Sequence, residues 1–136
     1  MESSLLTFRR AKEADLEALL TLMDALHVIH FDARPDLFVV QLPVDFANML
    51  GKRLTSEHNA IFLAMRDSSS IGFISASIVE ERQSVMRDGF HCWIDAIYVN
   101  HSEWGNGIGR SLMNLAEQWA IKQGAEYIRL SVSTFN

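Results

Sequence analysis

A single cysteine, Cys92, stands in 136 residues, so no disulfide can close within the chain. Long apolar runs are missing as well. None approaches the roughly 18 residues that a membrane span requires, and no membrane partner is expected. The first residues, Met1-Glu2-Ser3-Ser4, carry neither a basic stretch nor an apolar core, so no secretory signal is read there. Basic residues are outnumbered, 12 Lys and Arg against 17 Asp and Glu, for a formal net charge of -5. Nucleic-acid binding rests on clustered Lys and Arg, so no nucleic-acid partner is expected either. There are no internal repeats and no low-complexity tract. These absences describe a cytoplasmic protein. What is present, 49% apolar and 21% charged residues, is the make-up of an ordinary globular chain. At this length the expectation is one domain spanning residues 1–136, with a real core and no room for a second. The acidic balance mildly favours a cationic or amine-bearing substrate.

Hydrophobic spacing gives the element order. Residues 5–10 alternate weakly and read as an edge strand. Leu16, Leu19, Leu20, Met23 and Leu26 recur at helical spacing behind an acidic start of Glu13, Asp15 and Glu17. Asp32-Ala33-Arg34-Pro35-Asp36 breaks that pattern, and Pro43 opens a second short helix through Phe46, Met49 and Leu50. Residues 60–65 and 71–79 read as a hairpin around a turn at 67–70, residues 80–89 as an exposed polar link, and 90–99 as a third strand. A helix follows with Ile108, Leu112, Leu115, Ala116 and Trp119 on one face, stopping at Gly124. Ile128, Leu130 and Val132 alternate as the last strand. The reading is a mixed α/β domain of order β-α-α-β-β-β-α-β, whose final strand, helix, strand unit implies a parallel pair with a right-handed crossover.

The most informative stretch is Trp104-Gly105-Asn106-Gly107-Ile108-Gly109-Arg110, a glycine-rich loop that leads from the third strand directly into an amphipathic helix. Such a loop makes an anion site from main-chain N–H groups at a helix N-terminus. It is not a P-loop, because the Gly-x-x-x-x-Gly-Lys-Ser/Thr spacing is missing. Nor is it a dinucleotide fingerprint, since Gly105-x-Gly107-x-Gly109 has the wrong spacing and follows the hairpin instead of the first strand. The bland alternative is that the glycines serve only a tight turn and close helix packing.

Residues 94–99, the loop, the helix to Gln123 and the strand ending at Asn136 resemble the core of the GNAT family of N-acetyltransferases. That family carries Gln/Arg-x-x-Gly-x-Gly/Ala here, and Trp104-Gly105-Asn106-Gly107-Ile108-Gly109 matches at every position but the first. The N-terminal strand and paired helices also fit its layout. The resemblance implies acetyl-CoA as cosubstrate. Main-chain groups of Ile97, Tyr98 and Val99 would serve the pantetheine arm and the oxyanion in a gap between splayed strands. Trp104, Gly105, Asn106, Gly107, Ile108, Gly109 and Arg110 would hold the pyrophosphate, and Asn136 would contact pantetheine. The family usually continues beyond this point with a further helix and strands, so the expectation is a domain C-terminally incomplete relative to it. Truncation, completion by another subunit and degeneration would each account for that. An exposed final strand favours a homodimer.

Acetyl transfer from a thioester to an amine needs a base to free the amine. Asp95 is the candidate, because the resemblance assigns a carboxylate on this strand to that role; a structural, hydrogen-bonded aspartate is the alternative. Strict alternation would set residues 93, 95, 97 and 99 on one side of the strand. The acceptor is a primary amine of a small molecule or a protein, and the rival reading is a non-catalytic acyl-CoA-binding or self-assembling module. His27, His30 and Asp32 have a spacing that could hold a metal but read better as loop or surface residues, and no metal is expected. His91 and Cys92 read as structural, and Phe31, Phe38 and Phe46 as core. The segment 31–44 is where the family frames its acceptor, with Asp32 and Asp36 as carboxylates able to meet an ammonium.

Overall fold

The computed structural model describes residues 4–39, 42–81 and 89–130. Five strands form one sheet in the order β1-β2-β3-β4-β5: β1 (Leu6–Arg10), β2 (Asn59–Arg66), β3 (Ser69–Glu81), β4 (Gly89–Val99) and β5 (Ala125–Leu130). The first four are antiparallel neighbours, and β5 lies parallel to β4. The expected element order is reproduced, with boundaries moved by a few residues. The β2–β3 turn is tighter than expected, because Asp67 takes a positive φ of 55° and Ser69 already pairs with Arg66. Val132 and the link at 82–88 lie outside the described residues.

Helices cover both faces. α1 (Leu16–Ala33) and α2 (Phe46–Thr55) pack on one, burying Leu19, Leu22, Met23 and Leu50 against Ile61, Leu63 and Phe73. α3 (Ile108–Lys122) covers the other with Ile108, Leu112, Ala116, Trp119 and Ala120, which meet Ile74, Cys92 and Ile94. The sheet is therefore buried on both sides, which is why β2 and β3 read as nearly continuous apolar runs. α1 extends through Asp32 and Ala33, and its last turn uses the two histidines. His27 Nε2 donates to the Val39 carbonyl at 2.6 Å, and His30 stacks on Phe38 with ring centroids 5.0 Å apart. Both histidines thus hold the loop that follows. No group of three or more potential metal ligands occurs among the described residues. No helix among them is long and apolar enough to cross a membrane.

One irregularity in β4 decides where the chemistry can sit. Ser75 pairs with Ala96, but the next β3 residue, Ala76, pairs with Ile94, so Asp95 is the extra residue of a β-bulge. Before the bulge, Cys92 and Ile94 enter the α3 core; after it, Ala96 and Tyr98 pack toward α1 and α2, while Ile97 and Val99 turn to α3. The expected alternation of 93, 95, 97 and 99 on one side therefore fails. An inserted residue reverses the parity of every side chain beyond it.

Candidate active site

Asp95 faces a cleft of about 310 Å³ between the sheet and the first two helices. Met23, Phe46, Met49 and Leu50 line its apolar side, and Arg53, Ser75 and Ala96 complete it. Ser77 Oγ–H donates a short hydrogen bond to Asp95 Oδ2. Arg53 Nη1 lies 3.5 Å from the same oxygen. Both contacts use Oδ2, so Oδ1 has no hydrogen-bond partner among the described residues. The side chain of Asp95 is 25% exposed, reachable from solvent yet held in one orientation. Its neighbour Cys92 is fully buried, and burial together with the nearby Asp95 carboxylate pushes the thiol up to about 11. A thiol kept protonated in this way is no nucleophile near neutral pH, so Cys92 is structural. His91, 1% exposed and stacked on Tyr127 at 5.1 Å, is structural too.

β5 pairs with β4 from Phe90 to Ile94, and residues 95–99 have no β5 partner among the described residues. Among the described residues, the main chain of Ile97, Tyr98 and Val99 thus borders a gap. Their side chains take no part: Tyr98 lies near Phe73, with ring centroids 6.5 Å apart, and Ile97 and Val99 join the α3 core.

The gap leads to the glycine loop. Gly105 and Gly107 have φ of 87° and 74°, the left-handed region that other residues enter at a cost. Gly107 is the N-cap of α3, and no side chain caps that helix end. The first amides of α3 are therefore available to an anion. A Cβ built at Gly105, Gly107 or Gly109 would meet nothing within 4 Å. Close helix packing thus explains none of the three, although the turn explains the first two. Gly109 sits inside a helix, where glycine costs about 0.5–1 kcal/mol relative to alanine, and nothing among the described residues needs it small.

Side chains brace this loop from beneath. Arg66 on β2 grips Glu103 at 2.7 Å, and its guanidinium holds the Glu103 carboxyl below the usual carboxylate range. Asn106 Nδ2 donates to Glu103 Oε1 at 3.3 Å, so the Asn106 side chain is used for bracing and only its main chain is free to meet a ligand. Ile108 is likewise committed, its side chain being 2% exposed under the sheet. Arg110 is exposed and has no ion-pair partner among the described residues. Trp104, the departure from the family pattern, lies 65% exposed with its ring 4.3 Å from that of His101, and its Nε1–H donates to the Val99 carbonyl at 3.0 Å. Asn136 lies outside the described residues.

A family model described as the Acetyltransferase (GNAT) family matches residues 19–136. The chain belongs to this family. Solved structures agree on the fold. A mutant of the BH1408 protein from Bacillus halodurans superposes with a TM-score of 0.86 at 20% identity, over 96% of this chain and 84% of that one. An acetyltransferase from Vibrio fischeri gives a TM-score of 0.75 at 27% identity, over 91% and 93%. AAC(6')-Iy, solved with the bisubstrate analog CoA-S-monomethyl-acetylneamine, gives 0.78 at 23% identity, over 98% and 83%. No curated protein matches the chain in sequence.

Among GNAT members, then, this chain keeps the glycine loop and the strand that leads into it. Sequence reasoning singled out Asp95 and residues 104–110 as candidates and did not name Arg53, Ser75, Ser77, Arg66 or Glu103, which the fold brings beside them. No local signal marks these, since each earns its place only through the pairing of distant strands and helices. The acceptor-side carboxylates also differ from expectation. Asp36 is paired with Arg34 at 2.8 Å in the exposed loop, and neither Asp32 nor Asp36 lines the cleft.

Proposed function

We propose that this protein is an acetyl-CoA-dependent N-acetyltransferase that acts on a primary amine by direct attack on the thioester. One observation carries the reading. Asp95 stands at a β-bulge with one carboxylate oxygen open to a cleft, on a strand whose edge immediately beyond it has no strand partner among the described residues and which runs into the glycine loop. A thioester lying along that edge would have the cleft on one side and the loop on the other. The three glycines with open space above them, one of them unexplained by backbone or packing, support the loop as the seat of the pyrophosphate, and Arg110 supplies a cation beside it. Trp104, Gly105, Asn106, Gly107, Ile108 and Gly109 would contribute mainly main-chain groups, and Ile97, Tyr98 and Val99 would pair with pantetheine.

In the reaction, the acceptor ammonium gives a proton to Asp95, directly or through a water, and the freed nitrogen attacks the thioester carbonyl. A main-chain N–H of Ile97 or Tyr98 would stabilise the oxyanion. Collapse breaks the C–S bond, and the second proton lost by the nitrogen passes, directly or through water, to the departing CoA thiolate, which leaves the neutral amide and free CoA. Asp95 returns its proton to solvent. The bound form of AAC(6')-Iy, with CoA joined to an aminoglycoside fragment, is the same pairing of ligands on a similar fold. The test is titration with acetyl-CoA followed by thiol release across an amine panel. Binding together with turnover of an amine supports the reading. Binding without any turnover would make the protein a CoA-binding module, and no binding would overturn both. The outer edge of β5 has no strand partner among the described residues, and Leu130 there is 48% exposed. That supports a homodimer, which light scattering on the same sample would test.

A further inference from the structure

The cleft beside Asp95 is built for a particular kind of amine. Its apolar wall comes from two helices: Met23 on α1, and Phe46, Met49 and Leu50 on α2. At the other side stand one anion and one cation, Asp95 and Arg53. Arg53 is 40% exposed, and among the described residues its only ion-pair partner is Asp95, whose Oδ2 lies 3.5 Å away. A guanidinium has five N–H donors in a fixed fork suited to a carboxylate, so most of its capacity is unspent. Ser75, 1% exposed in the same lining, has a buried hydroxyl with no hydrogen-bond partner among the described residues. A buried polar group left in that condition costs free energy that a ligand could recover. The volume, about 310 Å³, lies at the low end of ligand sites, which run from about 300 to 1,000 Å³.

We infer that the acceptor is a small amino acid-like zwitterion with an apolar side chain. Its ammonium meets the open Oδ1 of Asp95, its carboxylate is taken by Arg53, and its side chain lies against Met23, Phe46, Met49 and Leu50. Polycationic acceptors are disfavoured, because a fixed cation stands within ion-pair distance of the group that must receive the ammonium. Large multi-ring acceptors are disfavoured by size. This inference rests on the acetyltransferase reading and commits it to a substrate class.

The experiment compares acetyl-CoA-dependent thiol release with leucine, leucinamide, isoamylamine, spermidine and neamine. The three leucine-shaped amines share a side chain and differ in the carboxylate. The expected result is a kcat/KM for leucine about tenfold or more above leucinamide, the worth of one charge-assisted pair. Arg53→Gln removes that preference, and Arg53→Lys restores part of it. Equal rates for the three leucine-shaped amines, or a preference for spermidine or neamine, would overturn the substrate class while leaving the acetyltransferase reading standing. If no amine turns over, titration of leucine into the CoA-loaded protein decides the matter. Binding weakened by Arg53→Gln supports the cleft assignment, and absence of binding overturns it.

Discussion

The two ends of β4 are made by different means. Toward α3, the glycine loop offers main-chain amides, two left-handed glycines and open space above them. Toward α1 and α2, the cleft is made of side chains, with Asp95, Ser77 and Arg53 drawn from β4, β3 and α2. A backbone site needs only a short stretch of chain in the right conformation, and its instructions sit side by side in the sequence. A side-chain site is assembled by tertiary pairing, so its members are scattered and individually unremarked. The loop can therefore be preserved across a family while the cleft changes its substrate.

The largest effect expected from breaking this comparison is at the loop. Gly107→Asp introduces both a Cβ at φ 74° and a negative charge at the N-terminus of α3. Acetyl-CoA affinity should fall at least about 100-fold by calorimetry. Gly107→Asn, neutral and tolerant of the left-handed region, should lose much less. Gly109→Ala separates folding from binding. It meets nothing within 4 Å, so it should stabilise the fold by roughly 0.5–1 kcal/mol in urea unfolding. The same variant should weaken acetyl-CoA. A variant that gains stability and keeps full affinity would remove Gly109 from the site.

On the side-chain half, Asp95→Asn should lower kcat by about 100-fold with acetyl-CoA Kd unchanged, the loss typical of a general base. A fall in affinity with kcat intact would mean that Asp95 holds the fold or the cofactor instead. Ser77→Ala should produce a smaller loss in kcat, because it frees the carboxylate that Ser77 orients.

The same contrast explains what could be read in the chain beforehand. The element order followed from periods of 3.6 and 2, and from Gly124, whose φ of 85° ends α3 as a left-handed residue. The loop was legible because glycines report backbone conformation directly. The bulge was not. Ile94-Asp95-Ala96-Ile97-Tyr98-Val99 carries no glycine or proline to mark an extra residue, and the insertion appears only when β4 is laid against β3, where Ser75 meets Ala96 and Ala76 meets Ile94. Because one inserted residue reverses parity, Asp95 does not share its side of the strand with 97 and 99, as strict alternation would have it. Arg53 sits in the last turn of α2 beside Lys52, and nothing local sets one cation apart from the other.

pH probes the frame outside both halves of the site. Asp15 precedes α1, and the Arg9 guanidinium, bonded to both its oxygens at 2.7 Å, lowers its carboxyl to about 2. A carboxyl depressed in the folded state contributes stability that is complete above the unfolded value near 4. That contribution is lost as pH falls toward about 2. Arg9 is 42% exposed, so solvent screens the pair and the contribution should be about 1 kcal/mol. Urea unfolding from pH 6 to pH 2 should show a decline in that window, and Arg9→Gln should flatten it.

The smallest effect sits where the two halves meet. Trp104 Nε1–H donates to the Val99 carbonyl at 3.0 Å, on the strand edge proposed for pantetheine. A carbonyl oxygen has two lone pairs, so the indole competes with a ligand there without excluding it. Trp104→Phe keeps an aromatic ring against His101 and removes only the donor. If pantetheine uses that carbonyl, the variant should bind acetyl-CoA about two- to threefold more tightly, a fraction of one neutral hydrogen bond. If affinity is unchanged, the Val99 carbonyl is no ligand, and the backbone-built half of the site begins at Gly105 instead of on the strand. If affinity falls, the indole is a contact in its own right, and Trp104 joins Arg53 and Asp95 among the side chains proposed to meet a ligand.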